Sequence, residues 1–331
     1  MQYRTLGKTG FRVSEIGLGC WQLGGDFGTM SDERADAILD EAHRQGINFW
    51  DTADVYGAGL SESRIGKWCL KDCDSAGNER PTIVTKVGRS GELYPDKYAQ
   101  GRVRASLVGS LERIGGNALD LVQLHCVPME LLKQGEIFAW LDEFKSEGLI
   151  RHYGASVETI EEALFCLEQP ELATLQIIFS LFRQDAVEKL LPAAQKANVG
   201  IIVRLPLASG LLGGKMSANH QFAAEDHRNF NRDGQHFNVG ETFSGLPFEK
   251  GVALADELRT MAPRDLPLGQ FALRWILDHP AVSTIIAGTT RPEQVAENVA
   301  ASDVAPLDEK LHEQLATFYR EKVRPNVRGP V

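Results

Sequence analysis

The chain comprises 331 residues, 43% of them hydrophobic, which exceeds the roughly 250 residues of a plain α/β barrel and suits one elaborated domain spanning 1–331. A formal net charge of −10 and an isoelectric point near 5.4 argue against the unshielded basic surface that nucleic acid or anionic lipid requires, so a small-molecule partner is expected. The opening stretch MQYRTLGKTGFRVSEIGLG has no apolar signal core, and no later run approaches the roughly 20 apolar residues that span a bilayer, which predicts a cytoplasmic protein.

From the N-terminus, Tyr3 to Val13 read as a hairpin around Thr9-Gly10, placed to plug the N-terminal face of the strands that follow. Eight short apolar, β-branched runs come next, at 15–19, 49–53, 82–88, 119–125, 153–157, 174–179, 200–205 and 283–288. Amphipathic stretches separate them, near 32–45, 62–71, 98–114, 131–146, 159–168, 187–197, 249–261 with 268–278, and 292–301. This alternation predicts βα units, hence parallel strands, right-handed crossovers and an α/β barrel. Helix punctuation agrees. Ser31 or Asp32 caps the helix whose apolar positions Ala35, Ile38, Leu39 and Ala42 recur at 3.6 spacing, Gly46 stops it, and Pro292 opens the last barrel helix where a missing N–H costs nothing. The long irregular piece 207–247, rich in Gly, Asn, His and Phe, falls where a barrel places its binding loops and reads as a lid.

Rival readings fail on particular residues. A Rossmann domain needs GxGxxG between its first strand and a helix, whereas Gly17, Gly19 and Gly24 give GxGxxxxG followed by Gly, Asp and Thr. Cys20, Cys69, Cys73, Cys126 and Cys166 make no CxxC pair, so reduced thiols and no metal are expected. His220, His227 and His236 share one polar stretch without i, i+4 spacing and read as solvated loop histidines.

Chemistry concentrates at the ends of three successive strands. Asp51 stands among the last strand residues of FWDTADVYG, Tyr56 lies on the loop behind it, Lys86 follows Ile83, Val84 and Thr85, and His125 ends LDLVQLH. Alternation puts Lys86 in phase with Val84 and His125 with Gln123, so four polar groups converge on one barrel mouth. Each alone has an ordinary explanation: a turn-capping Asp, a packing Tyr, a snorkelling Lys, a satisfied His. Together they suit carbonyl reduction. A tyrosine hydroxyl titrating near about 10 is too weak an acid unaided; an adjacent ammonium, Lys86, would draw its pKa down, Asp51 would hold the ammonium, and His125 would donate to the substrate oxygen.

Over nearly its whole length the chain resembles the aldo-keto reductase superfamily. The matching segments are YRTLGKTGFRVSEIGLGCW, DTADVYG, Thr85-Lys86, Gln123 to His125, PLASGLLGGK at Pro206 to Lys215, and RPEQVAEN at Arg291 to Asn298. The resemblance implies a (β/α)8 TIM barrel, reduction of an aldehyde or ketone with NADP(H), NAD(H) being the alternative cofactor, and a tetrad of Asp51, Tyr56, Lys86 and His125. It further implies that Gly19, Cys20 and Trp21 line the nicotinamide end, with Trp21, Tyr56 and His125 also meeting the carbonyl substrate. Ser156 and Gln176 would hydrogen-bond the carboxamide and Asp51 would also contact the cofactor, while Arg204, Leu205, Pro206, Leu207, Ser209, Gly210, Leu212 and Lys215 would run beside the nicotinamide ring and pyrophosphate. Gly288, Thr289, Thr290, Arg291, Gln294, Glu297 and Asn298 would hold the adenosine half, at a helix N-terminus suited to phosphate.

Three positions depart from the family's pattern: Val157 stands where many relatives carry Asn, Arg204 where many place an aromatic residue against nicotinamide, and Cys126-Val127-Pro128 where an aromatic often follows the histidine. Arg204 should repel an oxidised, cationic ring, receive a substrate anion, or pair with a nearby carboxylate. Two other functions compete with the reductase: a nucleotide-binding, redox-sensing regulatory subunit, and an aldolase using Lys86 as a Schiff base, which Asp51 disfavours by keeping the amine charged.

Overall fold

A computed structural model of the chain describes residues 1–223 and 226–331. Two short strands, β1 (Tyr3–Thr5) and β2 (Arg12–Ser14), form the expected antiparallel hairpin. Eight further strands follow: β3 (Ile16–Gly19), β4 (Phe49–Asp51), β5 (Thr82–Val87), β6 (Leu119–His125), β7 (Ile150–Ser156), β8 (Thr174–Ile178), β9 (Gly200–Arg204) and β10 (Val282–Gly288). Each pairs in parallel with the next and β10 pairs back onto β3, so the sheet closes into a (β/α)8 barrel.

Helices α1 (Asp32–Arg44), α2 (Leu60–Trp68), α3 (Gln100–Ile114), α4 (Met129–Gln134), α5 (Glu136–Ser146), α6 (Ile160–Cys166), α7 (Leu190–Lys196), α8 (His227–Phe230), α9 (Phe248–Met261), α10 (Leu268–Leu277), α11 (Pro292–Val299) and α12 (Glu309–Phe318) accompany the strands. Ser31 caps α1 by accepting from the Arg34 amide, and Ala35, Ile38, Leu39 and Ala42 are its buried positions. Among the described residues no helix is long and apolar enough to cross a membrane.

The hairpin plugs the barrel floor. Leu6 and Val13 are fully buried against Phe49, Val84, Leu121, Ile202 and Ile286, which five different barrel strands supply. At about 1.5–3 kcal/mol for each large apolar side chain buried, this plug contributes substantially to stability. It also leaves one open end, the C-terminal mouth, where Asp51, Ser156, Arg204 and His125 stand on the last residues of their strands.

Several boundaries differ from the sequence expectation. Strand β7 begins at Ile150, three residues before the apolar run, because Ile150 pairs with Leu119 and the polar Arg151 is exposed. The stretch 131–146 is two helices, parted by Gly135 at φ 79°, which ends α4 and starts α5. Helix α12, beyond the last predicted element, is capped by Asp308, whose Oδ1 accepts from the Leu311 amide at 2.8 Å, and buries Leu315 and Phe318.

The segment 207–247 arches over the mouth; residues 224 and 225 of that predicted lid lie outside the described residues. It is tied down at Ser209, whose hydroxyl donates to the Glu241 carbonyl (3.3 Å) and accepts from the Phe243 amide (3.2 Å). The C-terminal tail clasps its far side: Arg328 donates to the Gly245 carbonyl at 2.9 Å and pairs with Asp233 at 2.6 Å.

Candidate active site

Backbone geometry brings the four polar residues together before any side-chain contact is made. The Thr52 amide donates to the Val84 carbonyl at 2.7 Å and the Asp54 amide to the Lys86 carbonyl at 3.3 Å, so the loop after β4 leans onto β5. The turn carrying Tyr56 then presses against the loop after β3. Gly57 has φ 57°, and a Cβ on it would lie 2.3 Å from the Gly24 carbonyl oxygen, so only glycine permits the approach. Trp21 stacks on Tyr56 with ring centroids 5.8 Å apart and an interplanar angle of 19°.

Lys86 is buried at the centre. Its ammonium contacts Asp51 Oδ1, donates to the Thr52 carbonyl at 2.8 Å and lies 3.1 Å from the Tyr56 hydroxyl. Asp51 Oδ2 accepts from the Gln176 amide at 2.7 Å. Burial pushes Asp51 up and Lys86 down while the ion pair opposes both; for Lys86 the pair wins and the ammonium is retained. Tyr56 departs from the sequence expectation. Lys86 does pull its phenol down, but burial dominates and its pKa stands above the ordinary tyrosine value, so the group arrives protonated, as a proton donor must. His125 is held neutral: burial first, then the Arg89, Lys86 and Arg204 cations, drive its pKa well below the usual range. Its ring lies edge-on to Tyr56 with centroids 6.0 Å apart, and Nδ1 has no hydrogen-bond partner among the described residues.

A cavity of about 1450 Å³ runs from this mouth to the start of α11. Asp51, Tyr56, His125, Gly19, Cys20, Trp21, Gln176 and Arg204 line one end; Leu205, Pro206, Leu207, Ser209, Gly210 and Lys215 line its middle; Gly288, Thr290, Arg291, Gln294, Glu297 and Asn298 line the other. Ser156, Thr289 and Leu212 are buried behind the wall instead. Gln176 is occupied by Asp51 and, at 3.4 Å, by the Ser156 hydroxyl. Lys215 reaches across the cleft to Glu297 at 3.3 Å.

The polar groups along the cavity fit an extended dinucleotide. Gln22 lines it with Oε1, a buried acceptor that has no partner among the described residues, and the exposed cation Arg291 sits at the N-cap of α11, the positive end of that helix.

Arg204 takes the third of its expected roles. It pairs with Glu241 at 3.4 Å and donates to the Val157 carbonyl at 3.2 Å. Glu241 in turn holds Arg89 at 2.7 Å, and Arg89 holds Glu158, also at 2.7 Å. Although burial opposes it, the two guanidinium groups draw Glu241 down to about 2. The cluster Cys126, Glu158 and Glu241, whose donor atoms lie within 4.8 Å of one another, is therefore already neutralised by arginine. His227 corrects the expectation of a solvated loop histidine. It is fully buried, 4.7 Å from the Trp21 ring and 4.4 Å from Phe27, because the lid folds its apolar residues inward. His220 and His236 are exposed as expected.

Sequence reasoning missed Gln22, Phe27, Arg89, Glu158, Phe237, Asn238 and Glu241, all of which line the cavity. A signal existed for two: Arg89 comes three residues after Lys86 and Glu158 two after Ser156, just past strand ends. The lid residues offered none.

A family model described as the aldo/keto reductase family matches residues 15–320. The chain is 30% identical to an NADH-specific methylglyoxal reductase of Escherichia coli, covering 96% of each chain. It is likewise 30% identical to a probable voltage-gated potassium channel subunit beta of Arabidopsis thaliana, covering 93% of each. Among solved structures it resembles a glycerol dehydrogenase from Gluconobacter oxydans with a TM-score of 0.78 and 28% identity, over 99% of this chain and 98% of that one. The family match spans every barrel strand, and by it the chain belongs to the aldo/keto reductase family of oxidoreductases.

Proposed function

We propose that the protein reduces an aldehyde or ketone to the alcohol, with NADP(H) as the preferred cofactor and NAD(H) the alternative. The observation that carries this reading is the buried Lys86 ammonium, in contact with Asp51 and 3.1 Å from the Tyr56 hydroxyl at the edge of the cavity. When bound, the reduced nicotinamide supplies hydride to the carbonyl carbon. Tyr56 gives its proton to the carbonyl oxygen, and Lys86 stabilises the phenolate left behind. Asp51 keeps Lys86 charged and aimed. His125, neutral in its buried setting, donates its single N–H to the same oxygen and supports the charge growing there. Trp21, stacked on Tyr56, walls the carbonyl side. Of the residues expected to bind the nucleotide, Arg291 at the head of α11 suits a 2′-phosphate by a charge-assisted hydrogen bond.

Tyr56→Phe tests the assignment. Reduction of a panel of aldehydes should fall about 10²–10⁴-fold while nucleotide affinity is kept; full activity in the variant would remove Tyr56 as the acid. The potassium channel relative supports a second reading, a regulatory subunit that binds nucleotide as a redox sensor. Stopped-flow oxidation of bound NADPH separates the two, since a sensor binds tightly without turning over.

A further inference from the structure

Beyond the tetrad, the cavity wall holds a charged network that the reduction step does not use. Arg89 follows β5, Glu158 follows β7, Arg204 ends β9, and the lid supplies Asn238 and Glu241. These groups close on one another: Arg89 donates to both oxygens of Glu241 (3.1 and 2.7 Å) and to Glu158 (2.7 Å), and Asn238 Nδ2 donates to the second Glu158 oxygen at 2.9 Å. Two guanidinium groups face two carboxylates, so the patch has no net charge and cannot favour an anionic or a cationic substrate by charge. Exposure separates its members. The Glu241 side chain is 4% exposed and spent on the arginines, whereas Arg89 is 21% and Glu158 23% exposed. Each Glu158 oxygen accepts one of these hydrogen bonds and retains a lone pair. Aromatic rings line the same cavity: Trp21 and Phe27, packed edge-on with ring centroids 5.0 Å apart, and Phe237 from the lid, 6.3 Å from Trp21.

We infer that the substrate is a neutral polyhydroxylated carbonyl compound, such as an aldose or ketose of few carbons, whose hydroxyls donate to Glu158 and accept from Arg89 and Asn238 while its C–H face lies on the aromatic wall. A hydroxyl both gives and receives one hydrogen bond, which is what an adjoining carboxylate and guanidinium offer. A purely apolar aldehyde would displace water from these partly exposed polar groups without replacing its hydrogen bonds. The inference rests on the reductase reading and assigns its substrate class.

The experiment compares kcat/KM for glyceraldehyde, propionaldehyde and succinic semialdehyde with NADPH in the wild-type enzyme, Glu158→Gln and Asn238→Ser. The wild type should prefer glyceraldehyde to propionaldehyde about ten- to a hundredfold, the worth of one to two well-made hydroxyl contacts. That ratio should shrink severalfold in each variant, with NADPH fluorescence titration showing that nucleotide still binds. Equal rates for glyceraldehyde and propionaldehyde, or a preference for succinic semialdehyde, overturn the substrate class and leave the reductase standing. Failure to reduce any of the three with NADPH or NADH overturns both. The wild-type ratio decides the matter even where a variant fails to fold.

Discussion

The side-chain amide of Gln176 donates to Asp51 Oδ2 at 2.7 Å, while Lys86 takes Oδ1 of the same carboxylate. Asp51 is thus clamped from two strands, β8 and β5, and its orientation toward the ammonium is fixed before any ligand arrives. Replacing Gln176 with Leu would leave one oxygen of a buried carboxylate without its donor, a loss of about 1–3 kcal/mol in a site that tolerates little misalignment. The expected result is a roughly tenfold lower kcat with nucleotide affinity within about threefold of wild type. Steady-state kinetics paired with fluorescence titration distinguish this from a carboxamide clamp, in which affinity would fall and kcat would be spared.

The approach of Gly57 to Gly24 makes a second, backbone-level prediction. An alanine at 57 would be strained at φ 57° and would collide with the Gly24 carbonyl, so the turn must move and take the neighbouring Tyr56 with it. Gly57→Ala should lower kcat/KM about a hundredfold, a displacement of the order of 1 Å being enough. The barrel's far-ultraviolet circular dichroism should stay unchanged. Normal activity in a folded variant would show that the loop accommodates the methyl group without moving its tyrosine.

Arg204 raises the question of cofactor charge. Standing alone, a guanidinium beside the nicotinamide would disfavour the oxidised, cationic ring. Paired with Glu241, it presents little net field, and Arg204→Leu should change the ratio of NADP⁺ to NADPH affinities by less than about threefold. The stability cost should be larger, about 1–3 kcal/mol, since Glu241 keeps Arg89 but loses one of its two guanidinium partners in a buried place. Titration of both nucleotide forms and urea denaturation measure the two effects; a tenfold change in the affinity ratio would contradict the screening argument.

How far the sequence is legible tracks the distance over which an interaction acts. Strand cores such as Thr82–Val87 and Leu119–His125 announce themselves by β-branched runs, and Lys86 and His125 by their phase along those runs. The tetrad is readable because its residues occupy successive strand ends, where barrel topology forces convergence. The network of Arg89, Glu158 and Glu241 is not, since Arg89 and Glu241 stand 152 positions apart and meet only when the lid closes over the mouth. The lid's interior is hidden for the same reason: a stretch rich in Asn, His and Gly looks solvated until Trp21 and Phe27, from the loop after β3, provide the surface on which His227 is buried. Gln176 is a subtler case, visible as a polar residue in an apolar run but with its partner set by register between distant strands.

His227 supplies a pH-dependent consequence. Enclosed by Trp21 and Phe27, it has Asp226 Oδ1 at 3.6 Å from Nδ1, with the nearby charges of Arg228 and Glu241 also acting on it. Burial, assisted by Arg228 and opposed by Asp226 and Glu241, lowers its pKa to about 4. Since the folded value is depressed, the unfolded chain takes up the proton first. The stability this residue contributes is complete above about pH 6.5, falls as the pH drops, and is lost by about pH 4. For a side chain with 0% exposure the difference amounts to about 3 kcal/mol. His227→Phe keeps a ring between Trp21 and Phe27 but cannot be charged, so it should be less sensitive to acid over this window. Urea denaturation at pH 7.5 and pH 4.5 makes the comparison, with the wild type losing about 2–3 kcal/mol more than the variant. Parallel losses in the two proteins would place the acid sensitivity in groups other than His227, and not in Glu241, whose own loss falls below this window, from about 4.5 to about 2. Because the residue sits on the lid, its protonation should loosen the lid before the barrel unfolds, and nucleotide release should quicken between pH 6 and pH 4.5 in the wild type but not in His227→Phe.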